Sequence, residues 1–135
     1  MSEHQKISVI GAGAWGTALA QAMAQRYERV TMWAREEEVV HSINKTQDNT
    51  LFLPDVPLSQ NIIATGNIDM ALQAGILLYV TPAQYFRSVL SAHAPKIANN
   101  SQIIICAKGI EKESGALLSE IAQEILPNHN IAVLS

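Results

Sequence analysis

Six short runs rich in β-branched and other apolar residues recur along the chain, and segments with helical spacing separate them. The runs are 7–10, 30–33, 62–65, 76–80, 103–106 and 131–134. Because they are apolar throughout rather than at alternate positions, they predict strands that are buried on both faces of a sheet. Parallel neighbours need crossover connections, which the helical segments supply. The pattern therefore predicts an α/β fold with a doubly wound, mainly parallel sheet.

The segments between the runs have the spacing of amphipathic helices. We predict helices over about 14–26 and 36–44, a short helix capped by Asn67, one whose apolar face extends from Phe86 to Ile97, and one from Leu117 to Leu126. Segment 45–60 is the least regular part of the chain, because turn-forming residues surround its single apolar cluster at 51–53.

Length and composition limit the class of protein. A chain of 135 residues that is 48% hydrophobic is long enough for one domain with a real core, spanning 1–135, and too short for two. Only 16% of the residues are charged, against about 25% in typical domains, which predicts that part of the surface packs against another structure. The net charge of −3 argues against a nucleic-acid partner bound by phosphate neutralisation.

Neither export nor membrane insertion is predicted. Segment 7–25 carries no charge, but Gly11, Gly13 and Gly16 interrupt what would be the apolar helix of a signal peptide. Apolar runs elsewhere are too short to cross a bilayer. The single cysteine excludes an internal disulfide and is typical of a reducing compartment, so we expect the protein in the cytoplasm.

A glycine turn follows the first predicted strand. Residues 11–16 read Gly-Ala-Gly-Ala-Trp-Gly, which is the pattern G-x-G-x-x-G between a strand and a helix. The first glycine permits the tight turn, the second lets the backbone approach a pyrophosphate, and the third allows close packing of helix and strand. The helix amides then point at the phosphates. This context predicts a Rossmann-type dinucleotide-binding domain.

The end of the second predicted strand indicates which dinucleotide is bound. A carboxylate at this position binds the ribose 2′-hydroxyl of NAD, but here the strand ends in Ala34-Arg35. An arginine accommodates a 2′-phosphate, so NADP is preferred over NAD. Two alternatives remain open: Arg35 could merely balance the charges of Glu36–Glu38, or one of these glutamates could bind a 2′-hydroxyl.

Other residues could bind a ligand or take part in chemistry, but the sequence gives weaker evidence for such roles. Lys108 follows the fifth predicted strand, at the sheet edge where ligands of open α/β sheets bind. It either contacts a ligand there or is a solvated turn residue. Trp15 is either helix-packing core or a residue that lies against the cofactor. Cys106 is expected in the core. The four histidines lack metal-ligand spacing, so no metal site is predicted.

Four segments together resemble the bacterial NAD(P)-dependent glycerol-3-phosphate dehydrogenases. They are the glycine turn with its tryptophan, Trp33-Ala34-Arg35, the Asn-Thr-Leu-Phe-Leu-Pro run at 49–54, and the Ala-Lys-Gly-Ile-Glu run at 107–111. The resemblance covers essentially the whole chain, and the last two segments are much more specific than the glycine turn. Residues 132–135 are similar to the run that precedes a G-P-[ST]-F-A motif in that family.

The resemblance implies hydride exchange between NAD(P)H and dihydroxyacetone phosphate, giving sn-glycerol 3-phosphate for phospholipid synthesis. It implies a set of cofactor-contacting residues, which are Gly11, Gly13, Ala14, Trp15, Gly16, Arg35 and Lys108. Lys108 matches a lysine that the family places against both cofactor and substrate, so the resemblance also implies that it binds the substrate. The family often has serine where Ala14 stands, and a backbone contact would survive that change.

The resemblance further implies that this chain is only the cofactor domain. The family's catalytic lysine, its substrate domain and most of its homodimer contacts would follow Ser135, so no catalytic residue is expected within this chain, which should be inactive alone. Two alternatives remain: another Rossmann dehydrogenase, of the 3-hydroxyacid or ketopantoate type, and a dinucleotide-sensing module without chemistry. Only the Phe52 and Lys108 segments separate the first alternative from the main interpretation.

Overall fold

The computed structural model describes residues 6–134, which form one six-stranded sheet with helices on both faces. The strands are β1 (Ile7–Ile10), β2 (Val30–Trp33), β3 (Ile62–Thr65), β4 (Ile76–Tyr79), β5 (Gln102–Ile105) and β6 (Asn130–Val133). The helices are α1 (Ala14–Met23), α2 (Glu37–Thr46), α3 (Ile68–Ala71), α4 (Ala83–His93) and α5 (Leu118–Ile125).

The sheet has the order β3-β2-β1-β4-β5-β6, and every pairing in it is parallel. The prediction of a doubly wound parallel sheet is therefore confirmed. From β1 the chain moves outward through β2 and β3, and then returns to the other side of β1 for β4. The strand order thus reverses between β1 and β4, which opens a crevice at the carboxyl ends of these two strands.

Two hydrophobic clusters lie on opposite faces of the sheet. Val9 and Leu78 face the cluster that includes α1 and α2, whereas Leu77 and Tyr79 face the cluster that includes α4 and α5. Alternate residues of a strand point to opposite faces, so the uniformly apolar central strands serve both clusters at once. Full burial of a side chain such as Phe86 contributes about 1.5–3 kcal/mol to stability.

The structure corrects three details of the sequence interpretation. β6 is an edge strand, and Val133 on it is 57% exposed, so the prediction that this strand is buried on both faces is wrong. α4 ends at His93, and a 3₁₀ turn over Ala94–Lys96 follows because Pro95 cannot continue the helix. Ile97 is therefore buried outside the helix, not on it. Leu117 precedes α5 and is exposed rather than packed.

Within residues 6–134, no helix combines the length and the apolar composition that crossing a membrane requires.

Candidate dinucleotide-binding site

The turn between β1 and α1 is shaped by two glycines that admit no side chain. Gly11 has a φ of +126°, and its N–H donates to the carbonyl of Trp33 at 3.1 Å. A Cβ on Gly16 would overlap the carbonyl oxygen of Gly11. The first turn of α1 can therefore pack directly on the backbone that leaves β1. This places the amino end of α1 at the point where the strand order reverses.

Gly13 lies at the open side of this turn. It is exposed, and a Cβ built on it would meet no atom within 4 Å. Gly13 is also the N-cap of α1, and no side chain caps the helix there. The first helical hydrogen bond runs from the N–H of Thr17 to the carbonyl of Gly13, at 3.0 Å. The amides of 14–16 precede that bond and lack helical partners, so the turn fits a diphosphate.

Trp15 connects the glycine turn to the end of β5. Its side chain is 52% exposed, and its indole Nε1 donates to the carbonyl of Cys106 at 2.9 Å. Trp15 is therefore not the core residue that one interpretation required, and contact with the cofactor stays a prediction. The thiol of Cys106 is buried, as predicted, and burial raises its pKa to about 11. It is thus a protonated core residue near neutral pH.

Lys108 is exposed on the segment that follows β5. It lies two residues after Cys106, so their Cα atoms are at most about 8 Å apart. The Trp15–Cys106 bond therefore brings the glycine turn and the Lys108 segment to the same part of the sheet edge. Proximity of these two segments is the geometry that the predicted site requires.

Two side chains of α4 hold the Lys108 segment in place. The carboxamide of Gln84 donates to the carbonyl of Ile110 at 2.9 Å and accepts from the N–H of Lys112 at 3.0 Å. Arg87 donates to Glu111 at 2.8 Å. The Arg87 guanidinium, together with a hydrogen bond from Ser114, holds the pKa of the Glu111 carboxyl below its ordinary value. The sequence analysis missed Gln84 and Arg87, because neither belongs to a recognisable motif.

Arg35 lies on the other side of the crevice, directly after β2 and Ala34. Its side chain is 84% exposed and approaches Glu36 only to 4.0 Å. Both residues 34 and 35 line a cavity of about 630 Å³, together with Glu37, Val40, His41, Asn44, Lys45 and Gly66. β2 and β5 are three strand positions apart, so the ends of these strands lie roughly 14 Å apart. The predicted site residues therefore form two groups, one on each side of the crevice.

The Asn49–Leu53 segment packs against the glycine turn. Asn49 is completely buried, and its carboxamide donates to the carbonyl of Ala12 at 2.9 Å. Phe52, in the same segment, is 38% exposed. The resemblance drew attention to this run, but nothing in the sequence alone placed Asn49 under the turn.

The described residues contain no group of three or more histidine, cysteine, aspartate or glutamate side chains that could hold a metal ion.

Comparison with known proteins shows where this arrangement occurs. A family model described as the N-terminus of NAD-dependent glycerol-3-phosphate dehydrogenase matches residues 6–135. A protein of Parvibaculum lavamentivorans named glycerol-3-phosphate dehydrogenase (NAD(P)+) is 48% identical over 132 residues, which are 98% of this chain and 40% of that protein. The crystal structure of glycerol-3-phosphate dehydrogenase from Coxiella burnetii has a TM-score of 0.87 at 30% identity, covering 96% of this chain and 40% of that one.

A more distant likeness concerns the alternative dehydrogenase types. A crystal structure described as a candidate 2-dehydropantoate 2-reductase from Enterococcus faecalis has a TM-score of 0.62 at 20% identity, covering 95% of this chain and 40% of that one. At that identity the likeness shows the fold alone. The chain spans about 40% of the length of the curated relatives that it matches. Because the family model matches residues 6–135 and a curated relative is 48% identical, the chain belongs to the family of NAD-dependent glycerol-3-phosphate dehydrogenases and corresponds to their N-terminal part.

Proposed function

We propose that this chain is the dinucleotide-binding part of an oxidoreductase that interconverts dihydroxyacetone phosphate and sn-glycerol 3-phosphate with NAD(P)H. The observation that carries the proposal is the uncapped amino end of α1 beside the open space at Gly13. Backbone amides and the helix dipole together favour an anion at that position. The relatives are named glycerol-3-phosphate dehydrogenase (NAD(P)+), which supports this class of reaction and a nicotinamide dinucleotide as the cofactor.

Each group of residues has its own task in this proposal. The turn at Gly11, Gly13 and Gly16, with the amides of Ala14 and Trp15, binds the diphosphate. Arg35 binds the adenosine end, and its exposed guanidinium favours the 2′-phosphate of NADP over NAD. Lys108 provides a cation to the phosphorylated substrate, where charge develops on the carbonyl oxygen. The bound dinucleotide supplies or accepts the hydride.

We expect the group that transfers the proton at the carbonyl oxygen to lie outside this chain. Lys108 is a single exposed cation and cannot both bind the substrate and deliver the proton. We therefore assign the acid–base group and the substrate domain to the part of the relatives that this chain does not span. Homodimer formation, a place in phospholipid synthesis and a cytoplasmic location belong to the same proposal.

The decisive experiment compares the 135-residue chain with a chimera in which it replaces the matched N-terminal part of the Parvibaculum lavamentivorans dehydrogenase. Oxidation of NADPH is measured with dihydroxyacetone phosphate present. We expect turnover by the chimera and a rate no faster than buffer for the chain alone. In the chimera, Lys108→Ala should cost at least ~3 kcal/mol in kcat/KM, roughly 150-fold.

Lys112→Ala is the matched control, because Lys112 is an exposed lysine in the same segment. We expect this variant to keep the rate of the unmodified chimera. A folded chimera without turnover would contradict the proposal, as would turnover by the chain alone. Equal rates for Lys108→Ala and Lys112→Ala would remove Lys108 from the substrate site.

A further inference from the structure

Asn49 is a buried polar side chain that the proposed reaction does not use directly. It is 0% exposed, and all of its hydrogen-bonding groups are engaged. Its Nδ2 donates to the carbonyl of Ala12 and to Oγ1 of Thr17, both at 2.9 Å. Its Oδ1 accepts from the N–H of Phe52 at 3.2 Å. The carboxamide of Asn49 therefore connects its own segment, through Phe52, to the glycine turn and α1, through Ala12 and Thr17.

The bond to Ala12 determines which way the next peptide group faces. No cis peptide bond occurs in the described residues, so the carbonyl of Ala12 and the N–H of Gly13 point in opposite directions across one plane. Because Asn49 holds that carbonyl toward the interior, the N–H of Gly13 points to the exposed side of the turn. Gly13 itself is exposed, and a Cβ built on it would meet no atom within 4 Å, so there is room for a ligand beside this residue.

The bond to Thr17 extends the same restraint into α1. Thr17 is fully buried, and its hydroxyl donates to the carbonyl of Gly13 at 2.8 Å while Oγ1 accepts from Asn49. The carbonyls of both Ala12 and Gly13 are thus bonded on the inner side of the turn. Neither carbonyl is then available to repel an anion at the amino end of the helix.

We propose that Asn49 is a positioning residue that preorganises the glycine turn for the diphosphate of the dinucleotide. The inference rests on the proposed function, because it needs a dinucleotide at this turn. Without the carboxamide, the buried carbonyl of Ala12 and the hydroxyl of Thr17 lose a donor, and the 12–13 peptide can rotate. Fixing this peptide on binding then costs free energy, which weakens the binding of the dinucleotide.

Asn61 provides a matched control at the opposite end of α1. Its Nδ2 donates to two backbone oxygens, those of Ala24 and Tyr27, both at 2.8 Å. Asn61→Ala therefore deletes two buried or part-buried hydrogen bonds of a carboxamide, and Asn49→Ala deletes three, so both variants lower the stability of the fold. Only Asn49 contacts the glycine turn.

The experiment titrates the 135-residue chain with NADPH and with 2′-AMP, which lacks the diphosphate, and follows the backbone amides by NMR. For Asn49→Ala we expect an affinity for NADPH about tenfold lower, the value of one hydrogen bond. Its affinity for 2′-AMP should not change. Asn61→Ala should bind both ligands like the unmodified chain, at a temperature where circular dichroism shows each variant folded.

The outcomes separate the inference from the proposed function. No binding of NADPH by the unmodified chain would overturn both. Binding by the unmodified chain with the same affinity in Asn49→Ala would overturn the inference alone, and so would equal losses for NADPH and 2′-AMP. If Asn49→Ala does not fold, Thr17→Val removes the hydroxyl that accepts from Asn49 and donates to the carbonyl of Gly13, and we expect about threefold weaker NADPH binding with unchanged 2′-AMP binding. Unchanged NADPH affinity in Thr17→Val would then overturn the inference.

Discussion

Arg35 is the single side chain that most affects the proposed choice between NADP and NAD. It follows β2 directly, is almost fully exposed, and lies at the distance limit of an ion pair with Glu36. An ion pair this long and this exposed contributes little to stability, so it does not hold the guanidinium away from a ligand. The structure therefore gives little support to the alternative that Arg35 merely balances the charges of Glu36–Glu38. NADP preference stays a proposal.

Replacing Arg35 by alanine should weaken NADPH much more than NADH. A charge-assisted hydrogen bond contributes about 1.5–3 kcal/mol, which corresponds to roughly 10- to 150-fold in affinity. Titration of the variant with both dinucleotides measures the difference. Arg26→Ala, an exposed arginine just after α1, serves as the control and should change neither affinity. Equal losses for the two dinucleotides in Arg35→Ala would show that Arg35 does not contact the 2′-phosphate.

Single residues were predictable where their role depends on the local backbone. Gly11 and Gly16 are required by the tight turn between β1 and α1, which are neighbours in the sequence. This local context is enough to predict both glycines from the sequence alone. The Trp15–Cys106 bond joins residues 91 positions apart, and the Asn49–Ala12 bond joins residues 37 apart. No local pattern predicts such pairs. They follow only from the order in which the strands assemble.

At the scale of elements, α4 supports the Lys108 segment at one end and the sheet at the other. Gln84 and Arg87 near its start hold the segment after β5. At its end, Nδ1 of His93 lies within hydrogen-bond distance, 2.8 Å, of the buried phenol oxygen of Tyr79 on β4. Burial raises the pKa of Tyr79, so the phenol keeps its proton near neutral pH. The packing of α4 thus links the stability of the sheet to the position of Lys108.

This contact makes a prediction about stability and pH. Burial, assisted by the charge of Lys96, lowers the pKa of His93 below its ordinary value of about 6.5. The folded state then binds fewer protons than the unfolded state, so stability falls as the pH drops below about 6.5 toward the lowered pKa. Urea denaturation at pH 7 and pH 5 should show a smaller decrease in midpoint for His93→Gln than for the unmodified chain.

His41→Gln, at an exposed position on α2, is the control and should keep the pH dependence of the unmodified chain. If His93→Gln also keeps it, the Tyr79–His93 contact does not contribute to acid sensitivity.

Elements were predicted more accurately than their ends. β1, β2 and β3 have the predicted limits, because four-residue apolar runs between turn formers leave little choice. Helix limits differ by a few residues: α1 ends at Met23 rather than near residue 26, and α2 begins at Glu37 with Glu36 as its N-cap. The exposure of β6 was not predictable from its composition, since burial of a strand depends on what lies beside it.

At the scale of the whole molecule, several exposed apolar side chains lie at the carboxyl edge of the sheet. Trp15, Tyr85, Ile110 and Leu117 come after β1, β4 or β5, and Phe52 lies in the 49–53 segment, which packs against the glycine turn. The low fraction of charged residues already predicted a surface that packs against another structure. Since the relatives are about two and a half times as long, we propose that their remaining part covers this edge and closes the crevice.

The central claim is that the turn at Gly13 binds the diphosphate of a dinucleotide. Calorimetric titration with NADPH tests it most directly, on the unmodified chain, on Gly13→Val and on Gly75→Val. Gly75 also has open space for a side chain but precedes β4, at the opposite edge of the sheet. We expect binding by the unmodified chain and by Gly75→Val, and none by a folded Gly13→Val, because its side chain fills the space that the pyrophosphate needs. NADPH affinity that is unchanged in a folded Gly13→Val would contradict the account.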